Sequence, residues 1–314
     1  MNVHLTGMGL IGSTLAWELE RLGVDWTWDD SDTRLNAWHA STGCVYPDAE
    51  PVAAEGYAEW LSAVDGLKRM PGYWVSGQPL VERTAFWYNS KVAPHDIRDA
   101  PAADLEWARL SQHPSFSLNV PRFVINARVE FGHRRLSSAA HSDKSSLFVV
   151  SHGFSDRLDH YSWGWSARAR LSIPTGLIDA SPYRPCLAFR NGRYQNCYAY
   201  PIPGSDEHFI GSSMISQTVP RTLEIPGKAS TWTRAMAEVT GGRVKVLGAK
   251  NFANGWRPYP LAAPDRSSLF DAGPTGELRV APLRHSGVRL SRLVAVVFCE
   301  ILAERKIIKK GKRK

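Results

Sequence analysis

Residues 3–30 set out a short apolar stretch, a glycine cluster, an amphipathic run, a second apolar stretch and two acids. Few folds accept that order. Val3 to Gly7 (VHLTG) reads as a buried strand. GMGLIG follows, with Gly7, Gly9 and Gly12 at the spacing of a dinucleotide-binding turn. Leu15, Ala16, Leu19 and Leu22 share one face of a predicted helix. Val24 to Trp28 is a second strand ending at Asp29 and Asp30. Gly7 permits the tight turn, Gly9 lets the backbone approach a pyrophosphate, and Gly12 lets helix and strand pack closely. The helix start, at Leu10 and Ile11, offers free N–H groups and a positive dipole end to phosphates. Asp29 lies 22 residues after Gly7, where an acid accepts hydrogen bonds from an adenosine ribose. That acid favours FAD or NAD over NADP. The alternative is a glycine-rich turn in another α/β fold.

At 314 residues the chain has room for two domains or one large one. With 43% hydrophobic and 22% charged residues it is neither disordered, collagen-like nor a coiled coil. The most apolar run, Leu293 to Cys299, is too short for a membrane span, and the N-terminus lacks a basic signal region. Cys44, Cys186, Cys197 and Cys299 form no CxxC pair, as expected of reduced thiols in a soluble cytoplasmic protein. The net charge of +8 is a matter of one end. Arg305 to Lys314 carry seven cations and no acid, and the remaining residues sum to +1. Such a tail is a solvated end or a loose handle on nucleic acid. Twelve tryptophans serve core burial or stacking on flat ligands.

After the second strand comes AWHASTGCVYP (Ala37 to Pro47), a loop in which Ser41, Thr42 and Gly43 can face a second part of a long cofactor. From here the chain resembles the D-amino-acid oxidase superfamily of FAD-dependent oxidoreductases. VVSHGFSDRL (Val149 to Leu158, with Gly153 and Ser155) is similar to that family's strand-then-glycine segment near the flavin. YAYPIPGSDEHFIGSS (Tyr198 to Ser213) is similar to its aromatic-x-x-Pro strand pair, and GWRP (Gly255 to Pro258) to its Gly-x-Arg-Pro. RHSGVRLS (Arg284 to Ser291) resembles its closing flavin loop, though without the usual Gly-His-Gly start. Within the superfamily, GCVYP (Gly43 to Pro47) looks most like the oxidase domain of the bifunctional tRNA methylaminomethyl-uridine biosynthesis enzyme, which removes a carboxymethyl group from an amine on a uridine.

The resemblance implies a Rossmann-like FAD-binding domain with a second, mainly antiparallel-sheet substrate domain. The FAD domain is expected at 1–47, 111–164 and 255–304, the substrate domain at 48–110 and 165–254, and a basic tail at 305–314. GYAEWL, GYWVSG and AFWYNS, between Gly56 and Ser90, read as sheet edges and loops. RFVINARVEF (Arg122 to Phe131) reads as a strand returning to the FAD domain and bringing Val129 to the cofactor, and Leu147 to His152 as another. His285, Ser286, Gly287, Val288, Arg289 and Leu290 complete the implied flavin contacts.

Flavin amine oxidation leaves the protein to position and desolvate its substrate. Arg257 matches the position the family uses for the substrate carboxylate; the other reading is a salt bridge tying down a Pro-flanked loop. Tyr198-x-x-Pro201 and Tyr200-x-x-Pro203 compete for the family's active-site tyrosine, or pack. No metal-ligand spacing, nucleophile elbow or P-loop occurs. Cys44 is either a small buried residue or a reactive one that carries flavin. The expected activity is FAD-dependent oxidation of glycine or an N-substituted glycine, free or carried on a nucleic-acid base. A non-catalytic flavoprotein is the third reading, prompted by the short length and the altered closing loop.

Overall fold

The computed structural model describes residues 2–30, 37–41, 43–45, 51–67, 81–83, 115–136, 146–151, 161–172, 187–189, 196–202, 205–216, 245–258, 264–283 and 287–308. The first elements in chain order are β1 (Val3–Thr6), α1 (Leu10–Leu22), β2 (Trp26–Asp29), a 3-10 turn (Ala37–Ala40), β3 (Cys44–Val45) and α2 (Pro51–Leu67). Then come β4 (Val81–Arg83), β5 (Ser115–Ser117), α3 (Val120–Glu130) and β6 (Leu147–Val150). The long strands follow: β7 (Tyr161–Ser172), β8 (Leu187–Phe189), β9 (Asn196–Pro201), β10 (Glu207–Ser216) and β11 (Lys245–Pro258). The last are β12 (Phe270–Ala272), β13 (Leu278–Val280) and α4 (Gly287–Glu304). None of the described helices is long and apolar enough to cross a membrane.

One sheet has the order β12-β13-β6-β1-β2. β1 pairs parallel with both β2 and β6, and β13 parallel with β6; only β12 is antiparallel. A central parallel strand is covered on both faces, so Val3, His4 and Leu5 are all buried. Leu15 and Leu19 of α1, Trp26 of β2, and Leu293 and Phe298 of α4 share that core. A second sheet, β11-β7-β10-β9-β8, is antiparallel throughout. Across it the buried Glu207 of β10 meets Arg168 of β7 at 2.9 Å and Lys250 of β11 at 2.6 Å. Its hydrogen bond to Lys250, opposed by desolvation and helped by Arg168, holds the carboxyl below its ordinary range. A third small sheet joins β3, β5 and β4.

Two segments differ from their sequence reading. RFVINARVEF is helix, not strand. Val120, Phe123, Val124 and Ala127 are buried at helical spacing, and the Asn119 side chain accepts the Arg122 N–H at 3.2 Å ahead of the first turn. The β-branched residues suggested a strand, but the cap and the 3.6-residue period decide. GYAEWL also lies in a helix, α2, which opens at Pro51 and buries Val52, Ala53, Tyr57 and Trp60 along one face. Gly56 lets α2 approach α4: a Cβ there would lie 2.9 Å from the Arg289 carbonyl oxygen. Trp60 Nε1 donates to the Val288 carbonyl at 3.1 Å. α2 therefore packs with the parallel-sheet body rather than with the antiparallel sheet. Conversely, β7 begins at Tyr161 and β11 runs on through Gly255 to Pro258, so both of those segments belong to the antiparallel sheet.

The tail also begins inside the fold. The Lys306 N–H bonds the Ala303 carbonyl and the Ile307 N–H bonds the Leu302 carbonyl, while Ile307 and Ile308 pack on the main core. This is a Schellman cap with Lys306 at φ 59°, the counterpart of Gly23 at φ 64° after α1. Between α1 and α4, the buried Glu18 takes Arg292 at 2.6 Å and Arg21 at 2.8 Å. Burial pushes its carboxyl up, and the two guanidiniums more than reverse that, leaving it below the ordinary carboxylate value.

Glu18→Gln should cost about 3 kcal/mol at pH 7, because it leaves Arg292 buried without its counter-charge. The lowered folded-state value makes this stability present above the ordinary carboxylate range and lost as pH falls through the folded one. Urea titrations of the two proteins should therefore differ most near neutrality and converge in acid. Lys306→Gly should raise stability by about 1 kcal/mol by removing a left-handed Cβ, measured in the same way.

Candidate functional site

The glycine turn is held from three strands. The Gly7 N–H donates to the Asp29 carbonyl of β2 at 2.9 Å, and the Ser151 N–H, just past β6, donates to the Thr6 carbonyl at 2.8 Å. Ser151 Oγ donates to the Gly7 carbonyl at 2.6 Å. Gly7 itself sits at φ 97°, in the region that favours glycine. Gly12 is fixed by contact: a Cβ there would lie 1.9 Å from the Gly7 oxygen and 2.9 Å from Ser151 Oγ. Gly9 is different. Among the described residues its Cβ would meet only Trp38 Cδ1, at the ordinary distance of 3.5 Å, so none of them forbids a side chain there.

α1 starts beyond Gly9 with no side-chain cap and no acid in its first turn. The N–H groups of Leu10 and Ile11 and the positive dipole end therefore suit an anion. At the end of β2, His4 orients Asp29: its Nδ1 lies 2.9 Å from Thr27 Oγ1 and its Nε2 3.4 Å from Asp29 Oδ1. Asp30 is committed elsewhere, to a close ion pair with Arg128 of α3. Arg128 also donates through Nε to the Met8 carbonyl at 3.1 Å and lies 5.1 Å over the Trp38 ring. Neither Arg128 nor Trp38 stands out in the sequence. Arg128 becomes visible only once its segment is a helix, and Trp38 only once the 3-10 turn folds back over Gly9.

Val129, expected beside the cofactor from the strand reading, is 76% exposed. One residue of helical rotation carries it away from the turn that Arg128 reaches. Gly43 has a structural task, at φ 70° with the Leu118 carbonyl oxygen only 1.6 Å from where a Cβ would stand. The Ser41 N–H bonds the Trp38 carbonyl. Gly287 opens α4, whose Arg289 and Leu290 are buried in the core and whose Val288 carbonyl accepts from Trp60 Nε1 and Ser291 Oγ. Thr42, Gly153, His285 and Ser286 lie outside the described residues. Tyr57 and Trp60 of GYAEWL are core and offer no stacking surface.

Arg257 pairs with Ser162 near one end of β11. β11 and β7 both pack against the 3-10 turn, so the strand bearing Arg257 adjoins the turn that covers Gly9. Tyr198 and Tyr200 pair with Gly211 and Phe209 on β10, and β7 and β10 separate β9 from β11. The row of Tyr198 runs through Gly211 and Ser166 to Ala253, four residues short of Arg257. Three strand spacings and four residues separate the two backbones by about 20 Å, and Tyr200 is farther still. The register does not bring Arg257 and either tyrosine together.

The donors and acceptor present fit a dinucleotide whose adenosine ribose is unphosphorylated: an uncapped helix start, an open glycine and a carboxylate at the end of β2. No family model and no curated protein sequence matches the chain. Solved structures do. A glycine oxidase from Bacillus cereus superposes with a TM-score of 0.66 at 12% identity, over 100% of this chain and 99% of that one. An iminodiacetate oxidase from Chelativorans sp. gives 0.64 at 14% identity, over 96% and 95%. An L-proline dehydrogenase from P. horikoshii gives 0.55 at 13%, over 98% and 94%. At these identities the likeness is one of fold, a parallel sheet joined to a separate antiparallel sheet.

The two glycines should separate by experiment. Gly12→Ala, which drives a methyl into the Gly7 carbonyl, should cost more than about 3 kcal/mol in chemical denaturation. Gly9→Ala should leave the melting temperature of the apoprotein within about a degree and still abolish retention of added FAD, read by absorbance after gel filtration.

Proposed function

We propose that this chain is an FAD-dependent oxidoreductase acting on an amine that bears a carboxylate, glycine or an N-substituted glycine. The observation that carries this reading is the uncapped start of α1 over the open Gly9, with Asp29 beside it and the Arg257 strand packed against the adjoining turn. The Leu10 and Ile11 N–H groups would hold the pyrophosphate and Asp29 the adenosine ribose. The backbone at Gly287, where α4 begins, would serve the flavin end. FAD, when bound, supplies the two-electron acceptor for hydride removal from the α-carbon of the amine.

The chain's own part is recognition and exclusion of water. Arg257 offers a planar fork that holds a carboxylate by two parallel hydrogen bonds and so fixes where the α-carbon points. That orientation, in a site closed from solvent, is what an amine oxidation asks of protein side chains. Glycine oxidase and iminodiacetate oxidase, two of the similar structures, are named for amines that carry carboxylates, which supports this substrate class. The reading uses Arg257 and not the tyrosines, given their separation along the sheet.

A finer form of the proposal places the amine on a nucleic-acid base. Its support is the GCVYP likeness and the cations of Lys309 to Lys314, beyond the capped end of α4. The tail would add sequence-independent attraction to phosphates.

Reconstituted with FAD, the wild type should bleach anaerobically with glycine, sarcosine or iminodiacetate. Arg257→Lys should keep its flavin and lose about 2 kcal/mol in kcat/KM, roughly 30-fold, because an ammonium cannot reproduce the fork. Unchanged kinetics would remove Arg257 from the site. Bleaching by a modified oligonucleotide and not by free amines would select the nucleic-acid form. No bleaching by any amine would leave a non-catalytic flavoprotein.

A further inference from the structure

Trp38 carries a donor that the fold leaves without an acceptor. Its side chain is 7% exposed, yet Nε1 has no hydrogen-bond partner among the described residues and no contact with solvent. A buried, unbonded N–H is costly and uncommon. Trp28 and Trp60 show the usual solution, Trp28 Nε1 donating to the Phe131 carbonyl at 2.7 Å and Trp60 Nε1 to the Val288 carbonyl at 3.1 Å. Trp17 Nε1 on α1 shares the orphan state, but only Trp38 borders Gly9 among the described residues.

Its position gives the orphan meaning. Cδ1, the atom bonded to Nε1, is the side-chain atom nearest the open side of Gly9, at 3.5 Å from the Cβ position. The unpartnered edge of the indole thus faces the start of α1, whose N-cap Gly9 supplies no side-chain acceptor to the first turn. The ring is held from two sides. His39 stacks on it at 3.6 Å between centroids, and the Arg128 guanidinium lies 5.1 Å from its centre. A cation over an indole polarises the ring and strengthens its N–H as a donor.

We propose that the Trp38 indole N–H is a hydrogen-bond donor to a phosphate oxygen of the bound dinucleotide, joining the backbone donors of α1. This rests on the dinucleotide reading of the glycine turn. A phosphate oxygen at the start of α1 takes the indole N–H, so the donor that is a liability in the empty protein becomes a source of affinity in the loaded one. Trp38 then couples cofactor binding to the 3-10 turn, and through that turn to the strands β7 and β11 packed against it.

Trp38→Phe keeps a ring and deletes the donor. In urea denaturation the apoprotein should lose little stability, because removal of the orphan N–H offsets the ring packing that is lost. Its affinity for FAD and for ADP, measured by calorimetry on apoprotein, should fall about tenfold, with adenosine affinity unchanged. In wild-type protein with labelled indoles, ADP but not adenosine should move one tryptophan Nε1–H cross-peak downfield, an experiment that does not require the variant to fold. Equal ADP affinity in variant and wild type, or no indole shift with ADP, overturns the role of Trp38 while leaving FAD binding intact. Binding of ADP with that shift but no binding of FAD keeps the donor and removes the flavin reading. A wild type that binds neither overturns both.

Discussion

The contact between Gly12 and the Gly7 carbonyl governs this molecule. No side chain fits between α1 and the end of β1, so the helix leaves the strand at one angle only. The same carbonyl is taken by Ser151 Oγ from the β6 side, and the Gly7 N–H by Asp29 from the β2 side. Three strand ends and one helix are thereby registered on a single residue. The direction of the α1 dipole, the open side of Gly9 and the position of Asp29 all follow from it. At the far end of α1, Glu18 and Arg292 set how α4 lies across the helix, so a buried ion pair completes what the glycine contact begins. The pair contributes little net energy compared with an apolar contact, but its geometry admits one arrangement of the helices.

The parallel-sheet body and the antiparallel sheet meet at the short turn Ala37–Ala40. α3, β7 and β11 all pack against it. Trp38 is the centre of this junction, packed in the smaller core with Val45, Tyr57, Trp60 and Phe123. A single indole therefore borders the glycine turn, contributes to the core beneath α2 and adjoins the strand that carries Arg257. Coupling of this kind needs no long pathway, because the elements touch.

How much of this the sequence reveals depends on the range of the interaction. The β1–α1–β2 unit is local, and its glycine spacing, apolar strands and terminal acid declare it within thirty residues. The second sheet is legible through the likeness of YAYPIPGSDEHFIGSS and GWRP to a family with an antiparallel substrate sheet. α3 was not, because Val, Ile and Phe in RFVINARVEF favour strands, although Asn119 and Pro121 mark a helix start. α2 was hidden by its aromatic residues, which suggest sheet until Val52, Ala53, Tyr57 and Trp60 are placed on a helical wheel. Arg128 and Trp38 were illegible for a different reason. Each acquires its role from residues distant in sequence, Met8 and Asp30 for the first and Gly9 for the second, and no local pattern encodes such a meeting. The separation of Arg257 from Tyr198 is likewise a property of strand order and register, which depend on pairings across the whole sheet.

The paired acids at the end of β2 have a bearing on which dinucleotide the turn suits. An arginine near the adenosine ribose is the usual means of accommodating a 2′-phosphate, and Arg128 is the cation beside Asp30. Its guanidinium is already divided among the Asp30 carboxylate, the Met8 carbonyl and the face of Trp38. Turning it toward a phosphate would break its ion pair with the nearly buried Asp30 carboxylate and release the glycine turn at Met8. Asp29, oriented by the buried His4, meanwhile presents an acceptor to hydroxyl groups and repels a further anion. Among the described residues the second acid therefore works against phosphate recognition by occupying Arg128, the cation beside it, and Asp29 presents a carboxylate suited to an unphosphorylated ribose.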